Sequence, residues 1–267
     1  MLSDAAHPDY DVSLVQMVPT LVHRAKTTLP DAFRTGLGEP YEDEDISVAI
    51  DRAHEKHIRD CVLPVVVPKL PRAVVDGLGR GFRVAELGCG GGNMLAAFAR
   101  AFPESSFVGY EVSAAALAVA RRNLAASALG NASVVDANAR PLGSAAGSFD
   151  LVTTLDVLHD APNPKELIAQ VRDALKPGGV WLLADIAGLE GTRRNVTHNP
   201  AAATMYAFST TLCMCCALST PDGEGLGTLG FPPSVARKML VDGAGFDDVA
   251  VLHEADNTRW FRVTKKA

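Results

Sequence analysis

Between residues 82 and 186, short apolar runs alternate with segments of helical periodicity. The runs read "FRVAEL", "SSFVGYE", "ASVVDA", "FDLVTTLD" and "GVWLLADI", and they alternate weakly, as strands buried on both faces do. Strands that are separated by helices pair in parallel through right-handed crossovers. This alternation predicts an α/β fold with a doubly wound, mostly parallel sheet whose ligand sites lie at the carboxyl ends of the strands.

Three helix starts can be placed within this region. We predict that Asn93 caps the first helix and Ser113 the second, because both side chains can accept a hydrogen bond from the opening turn. Asn163 is followed by Pro164 and Glu166, which is a typical start signal for the third helix.

The rest of the chain divides into a tail and two covering segments. Beyond residue 232, a helix and two strands joined near Asp256 predict a hairpin, so the sheet has seven strands and the last runs antiparallel to the others. Residues 1–80 are mostly helical in pattern and are predicted to form a cap that supports dimerisation. Residues 81–267 form the main domain, in which 187–231 is predicted to be a lid insertion.

Composition limits the partners. The net charge of −6 argues against a nucleic-acid binder, which normally carries a basic face. We find no secretory signal and no apolar run long enough to span a bilayer. The cysteine count of five is odd, which favours free thiols in a cytoplasmic, reducing compartment. The expected partner is a small molecule.

The sequence "VAELGCGGGN", residues 84–93, places four glycines directly after the first predicted strand. A chain gives up side chains there when a ligand must approach the backbone. Two cofactors are alternative ligands for this loop. The dinucleotide fingerprint G-x-G-x-x-G is matched by Gly88 and Gly90, but Asn93 stands at the third position, so this match is weak.

The second cofactor is S-adenosylmethionine. Over roughly residues 82–263 the chain resembles the class I S-adenosylmethionine-dependent methyltransferase superfamily. The resemblance rests on six features in order: "ELGCGGG", Glu111 at the end of strand two, "VVDAN", "FDLVTTLDVLHD", "LKPGGVWLLAD" and the terminal hairpin. It implies methyl transfer to a small-molecule acceptor by in-line displacement at the sulfonium methyl.

The resemblance also implies roles for individual residues. Glu111 is expected to accept from the two ribose hydroxyls, and Asp136 with the Ala137 amide is expected to meet the adenine edge. The methionine ammonium is assigned to Glu86 and to the loop near Asp156. The glycines that allow close approach are Gly88, Gly90 and Gly92.

A narrower resemblance concerns the covering segments. "GEPY" and "CALSTPDGEGLGTLGF" look like a bacterial group of small-molecule methyltransferases with a winged-helix-like front domain. Resemblance to that group implies a homodimer. Only about 80 residues precede the core, so the front is predicted to be truncated and not to bind DNA.

The sequence identifies the catalytic and acceptor-binding residues less sharply than the cofactor-binding ones. His159 and Asp160 follow the fourth strand, where His159 is either a general base oriented by Asp160 or a packing residue. Tyr41, Tyr206 and Met214 are candidates for the acceptor pocket because they belong to the covering segments.

Two further groups have alternative readings. His54 and His57 lack a third ligand for zinc and are predicted to be surface residues. The "LCMCC" stretch offers Cys213, Cys215 and Cys216, which we read as lid packing rather than as a metal site. The alternatives left open are an NAD(P)-dependent oxidoreductase, a non-catalytic cofactor-binding regulator and a thiol-dependent metalloid methyltransferase.

Overall fold

The computed structural model describes residues 13–267, and side chains from residue 15 onward. The first twelve residues of the predicted cap lie outside the described residues. The chain forms seven strands: β1 (Arg83–Leu87), β2 (Ser106–Glu111), β3 (Ala132–Asp136), β4 (Phe149–Leu155), β5 (Leu175–Ile186), β6 (Asp248–Ala255) and β7 (Thr258–Thr264).

All seven strands form one sheet in the order β3-β2-β1-β4-β5-β7-β6. Neighbours from β3 to β5 are parallel, whereas β7 is antiparallel to both β5 and β6. The predicted fold class, the strand count and the antiparallel last strand are confirmed. Because β1 lies between β2 and β4, the chain reverses its direction of winding there, and a crevice opens at the carboxyl ends of these strands.

The main crossover helices are α5 (Asn93–Ala101), α6 (Ala114–Ser127) and α7 (Pro164–Ala174). The Ser113 side chain accepts from Ala116 N and the Asn163 side chain from Glu166 N, so both predicted caps are confirmed. The prediction for Asn93 is wrong, because this residue is the first helical residue of α5 and Gly92 precedes it at a φ of 83°. The turn before α5 requires this left-handed backbone, which favours glycine over asparagine.

The front of the chain is helical, as predicted. It contains α1 (Ser13–Lys26), α2 (Thr28–Thr35), α3 (Glu44–His57), a π-helical segment (Ile58–Val66), a short 3-10 turn (Val67–Lys69) and α4 (Arg72–Leu78). Val62 and Leu78 are buried in the same apolar cluster as Leu151 of β4 and Trp260 of β7. The front segment therefore shares its core with one face of the sheet.

The other face of the sheet packs on α7 and the C-terminal helices. Trp181 and Phe261 of the sheet, Ile168 of α7 and Phe246 belong to this second core. The C-terminal helical segment consists of α11 (Pro233–Arg237) and a π-helical turn (Lys238–Gly243).

The segment between β5 and α11 has the predicted helical middle, composed of α8 (Thr192–His198), α9 (Ala202–Phe208), a π-helical turn (Ser209–Cys213) and α10 (Met214–Ala217). Leu212 and Cys213 of this segment pack with Met17, Ile46 and Ala49 of the front helices. The two covering segments thus contact each other. No helix among the described residues combines the length and the apolar character needed to cross a membrane.

Candidate active site

A cavity of about 280 Å³ lies over the glycine loop, in the crevice between the front segment and the sheet. Gly88, Gly90 and Gly92 have φ values of 68°, 51° and 83°, which other residues rarely adopt. The amides of Gly88 and Cys89 both donate to Tyr110 O, so the loop is tied to the end of β2. Backbone from the loop forms one wall of the cavity.

Glu111, the last residue of β2, forms the next part of the wall. Its carboxylate accepts hydrogen bonds from the amides of Gly90 (2.9 Å), Val112 (2.8 Å) and Ser113 (2.9 Å). Burial raises the pKa of Glu111, and these three donors oppose that shift. A carboxylate offers about four acceptor positions, so the side chain both shapes the glycine loop and retains capacity for a ligand hydroxyl.

Asp136 and Ala137 lie one strand farther out and do not line the cavity. Asp136 pairs in register with Glu111, and its Oδ1 accepts from the Asn138 amide. The Ala137 amide donates to Glu111 O at 2.9 Å. The Ala137 N–H therefore already has a backbone acceptor and is not free for the predicted contact with adenine.

Glu86 of β1 and Asp51 of α3 bring two more carboxylates to the cavity. Burial, then the charges of Asp51 and Glu111, raise the pKa of Glu86 well above its usual value. The pKa of Asp51 is raised to about 6, mainly by burial. Two buried carboxylates and the half-buried Asp51 on one cavity wall favour a cation beside them.

Sequence reasoning missed Asp51. Its Oδ1 accepts from the Asn93 amide at 3.3 Å, and its backbone oxygen accepts from Asn93 Nδ2 at 3.0 Å. These contacts bind α3 to the start of α5. In the sequence Asp51 is one acid of an ordinary amphipathic helix, and no local pattern separates it from Asp45.

The prediction that His54 and His57 are surface residues is wrong. His54 Nε2 lies 2.9 Å from Asp156 Oδ2, at the end of β4, and both side chains are less than a quarter exposed. Trp260 Nε1 donates to His57 Nε2 at 3.2 Å and the two rings stack. The helix periodicity showed that the two histidines share a face, but it did not show that this face packs against the sheet.

Asp156 has a φ of 56°, which is uncommon for a residue other than glycine. Burial raises its pKa, but the hydrogen bond and charge of His54 oppose this, and the net pKa lies below the usual value. Asp156 is therefore a charged partner of the front segment as well as a lining residue of the cavity.

His159 lies behind Asp160 and is 3% exposed. Its Nδ1 is 2.6 Å from Asp185 Oδ1 and its Nε2 is 2.8 Å from Asp160 Oδ1. Burial lowers the pKa of His159, but the two carboxylates outweigh it and the net pKa lies well above the usual value. Asp160 lines the cavity, whereas His159 does not. The arrangement holds an imidazolium between two carboxylates.

The covering segments contribute Tyr41 and Cys216 to the cavity. Burial raises the pKa of Tyr41 well above its usual value and that of Cys216 to about 12, so both groups are neutral. Tyr206 and Met214 do not line this cavity. Met214 lines a second cavity of about 270 Å³ between the front helices and the lid.

The three lid cysteines face different surroundings. Arg24 donates to Cys215 Sγ at 3.3 Å, away from the cavity. Cys213 has its sulfur within 4.8 Å of ligand atoms of His159 and Asp160, the group in the described part of the chain that could hold a metal ion. Burial raises the pKa of the Cys213 thiol, and both nitrogens of His159 already face carboxylates, so this group is better suited to proton sharing than to metal binding.

Comparison with known proteins gives a consistent family signal. Residues 85–181 match the family described as a methyltransferase domain. The chain is 29% identical over 190 residues to a trans-aconitate 2-methyltransferase of Deinococcus radiodurans, an alignment that covers 71% of this chain and 64% of the relative. It is 30% identical over 134 residues to a ubiquinone biosynthesis O-methyltransferase of Cronobacter sakazakii, which covers 45% of this chain and 54% of that protein. The chain thus spans less than two thirds of these relatives.

Solved structures share the fold across almost the whole chain. An O-methyltransferase family protein from Burkholderia thailandensis superposes with a TM-score of 0.71 at 18% identity, covering 98% of this chain and 74% of that one. Human N-acetylserotonin methyltransferase in complex with SAM gives a TM-score of 0.68 at 16% identity, covering 98% and 72%. These similarities include the front helices and the lid.

Proposed function

Because the chain belongs to the class I S-adenosylmethionine-dependent methyltransferase superfamily, we propose that it transfers a methyl group from S-adenosylmethionine to a small-molecule acceptor. The observation that carries this proposal is the meeting of the glycine loop, Glu86 and Glu111 on one cavity wall. When bound, the cofactor supplies an electrophilic methyl group on a sulfonium. The protein supplies the orientation that in-line displacement requires.

Each end of the cofactor has a chemical counterpart in the cavity. Glu111 accepts from one ribose hydroxyl, because its three amide donors leave about one of its four acceptor positions free. Glu86 and Asp51 hold the ammonium, whose positive charge opposes the effect of Asp51 on the pKa of Glu86. The carboxylate lies at the glycine loop, where the Gly91 amide is left for it, because the amides of Gly88, Cys89 and Gly90 donate within the protein. Asp136, beside Glu111 in the sheet, marks the adenine side.

The acceptor lies on the β4 side of the cavity, against Asp160. We assign Asp160 the contact with the acceptor's O–H or N–H, because it lines the cavity while His159 does not. His159 and Asp185 are positioning residues that fix the Asp160 carboxylate from behind. Asp156 contributes by pairing with His54, which holds α3 over the cavity.

Calorimetric titration tests the cofactor assignment directly. We expect S-adenosylhomocysteine to bind the wild-type protein with 1:1 stoichiometry and NADH or NADPH not to bind. Binding of the nicotinamide cofactors without S-adenosylhomocysteine would favour the oxidoreductase reading. Methylation that requires Cys213 and Cys216, lost in their serine variants while the cofactor still binds, would favour the metalloid reading.

We also propose that the protein is a cytoplasmic homodimer that binds neither nucleic acid nor membranes. The five cysteines are free thiols, which supports a reducing compartment. The net charge of −6 supports a partner other than nucleic acid. An exposed apolar face on the front helices supports the dimer; Val15, Val18 and Val22 are 55%, 50% and 46% exposed.

A further inference from the structure

The charges on the cavity wall are strongly one-sided. Five carboxylates line it: Asp51, Glu86, Glu111, Asp156 and Asp160. His54 is the basic side chain among the described lining residues, and it is already paired with Asp156. No lysine or arginine of residues 13–267 lines this cavity. The cofactor uses Asp51, Glu86 and Glu111, so an acceptor with a carboxylate on the β4 side would meet Asp156 and Asp160 without a lysine or arginine beside them.

Most of the remaining lining side chains are aliphatic. They come from the front helices and from the β4 side of the cavity, and they include Ile46, Ile50, Ile58, Leu155, Val157 and Leu167. These surfaces suit an apolar body such as an aromatic ring or a short hydrocarbon. The charged side chains of the lining are the five carboxylates and His54.

Asp160 is the polar point that the cofactor does not use. Its Oδ1 lies 2.8 Å from His159 Nε2, and none of the described residues donates a hydrogen bond to Oδ2. A carboxylate oxygen that lines a cavity without a protein donor favours a ligand that brings an N–H or O–H. Tyr41 and Cys216 stand nearby as neutral groups and add no positive charge.

We propose that the methyl acceptor is a neutral or cationic small molecule with an apolar body and an N–H or O–H donor directed at Asp160, and that carboxylate-bearing acceptors are excluded. This inference rests on the proposed methyltransferase function. The proposed acceptor differs in charge from trans-aconitate, the tricarboxylate for which one relative is named.

A series of similar acceptors that differ in charge tests the proposal. The probes are p-propylphenol, tyramine and p-hydroxyphenylacetate, which share a phenol and differ mainly in the charge at the end of the side chain. Release of S-adenosylhomocysteine is measured for each, with trans-aconitate as a fourth probe. We expect kcat/KM to be about tenfold or more higher for p-propylphenol and tyramine than for p-hydroxyphenylacetate, with no turnover of trans-aconitate.

The variant Asp160→Asn tests the residue that carries the preference. It removes one negative charge at the acceptor, so the ratio of kcat/KM for tyramine over p-hydroxyphenylacetate should fall by about threefold or more, whatever the change in overall rate. Asp76→Asn is the matched control: Asp76 lies on α4 and pairs with the exposed Arg72, outside the cavity. The control should keep the wild-type ratio.

The outcomes separate the two levels of inference. Equal or better turnover of p-hydroxyphenylacetate or trans-aconitate overturns the acceptor proposal, as does a protein that binds S-adenosylhomocysteine and methylates none of the four probes. In both cases the methyltransferase function stands. A protein that does not bind S-adenosylhomocysteine overturns the proposed function itself. If Asp160→Asn fails to fold, the wild-type series alone decides.

Discussion

Single carboxylates determine how this cavity is organised. Glu111 ends β2 and collects three backbone amides, one of them from the glycine loop. The charge of Asp51 adds to burial in raising the pKa of Glu86. A cationic ligand changes that balance, since it stabilises the charged forms that burial disfavours. Carboxylates that burial makes costly to ionise therefore favour a ligand that carries a positive charge.

Glu111→Gln should weaken S-adenosylhomocysteine binding about tenfold or more, because a hydrogen bond to a charged group is worth about 1.5–3 kcal/mol and each 1.4 kcal/mol is about tenfold. Calorimetric titration measures the change. Glu104→Gln is the control, because Glu104 is exposed just before β2, at the opposite edge of the sheet. Unchanged affinity in a variant with the wild-type melting temperature would argue against the ribose assignment.

Cofactor binding should weaken as the pH falls from about 7.5 to about 5. The pKa of Asp51 is raised to about 6, mainly by burial, so in the free protein this carboxyl is charged above that pH and neutral below it. A neutral Asp51 attracts the ammonium less. Titrations of S-adenosylhomocysteine across this range should show the loss, and Asp51→Asn should flatten it.

Methylthioadenosine serves as the ligand control for that titration. It lacks the amino-acid end of the cofactor and so offers no ammonium to Asp51. Its affinity should vary little over the same pH range. A parallel pH dependence for both ligands would place the titrating group elsewhere.

At the level of elements, α3 connects the front segment to the cofactor cavity. Asp51 binds the start of α5, and His54, one turn later, pairs with Asp156 at the end of β4. Residues three apart on a helix share a face, so one face of α3 reaches two loops of the sheet edge. The helix thus forms part of the site and is more than a cover.

Gly91→Ala should disturb this contact. A Cβ at residue 91 would lie 2.5 Å from Asp51 Oδ2, and Asp51 is held in place by Asn93. We expect a loss of stability of about 1–3 kcal/mol, as for other overpacked sites, together with weaker S-adenosylhomocysteine binding. Urea denaturation and calorimetry measure the two effects.

Gly130→Ala is the matched control for that change. A Cβ there meets nothing within 4 Å, and the residue lies in the turn before β3. It should leave both stability and cofactor affinity close to wild type. If Gly91→Ala behaves in the same way, α3 does not depend on its contact with the glycine loop.

At the level of the whole molecule, the front helices face the sheet on one side and leave apolar side chains exposed on the other. Val15, Val18 and Val22 follow one face of α1, and Phe33 of α2 is 75% exposed. Exposed apolar side chains gathered on the front helices are typical of an interface. These side chains lie on α1 and α2, whereas α3 of the same front segment lines the cavity.

Size exclusion with light scattering should give the mass of two chains for the wild-type protein. Val18→Glu combined with Phe33→Glu should give the mass of one chain, because charges are disfavoured at the core of an interface. Val251→Glu is the control, since Val251 is 48% exposed on β6, remote from α1. A monomeric wild type, or a dimer that survives the double substitution, would contradict the predicted interface.

The sequence by itself determined the sheet and the position of the cofactor loop. Strand periodicity, the caps at Ser113 and Asn163 and the glycine run are local signals, because they depend on backbone preferences within a few residues. The carboxyl ends of parallel strands meet at one edge, so Glu86 and Glu111 could be placed together from the same pattern.

Only the tertiary structure decided what covers that edge. Asp51 lies 35 residues before Glu86 in the chain, and the contact of His54 with Asp156 spans 102 residues. No local preference encodes contacts of this kind, which arise when an amphipathic helix packs its face against the sheet. For the same reason Asp160, and not His159, faces the cavity: neighbouring residues in a loop are separated by packing, which the sequence order does not reveal.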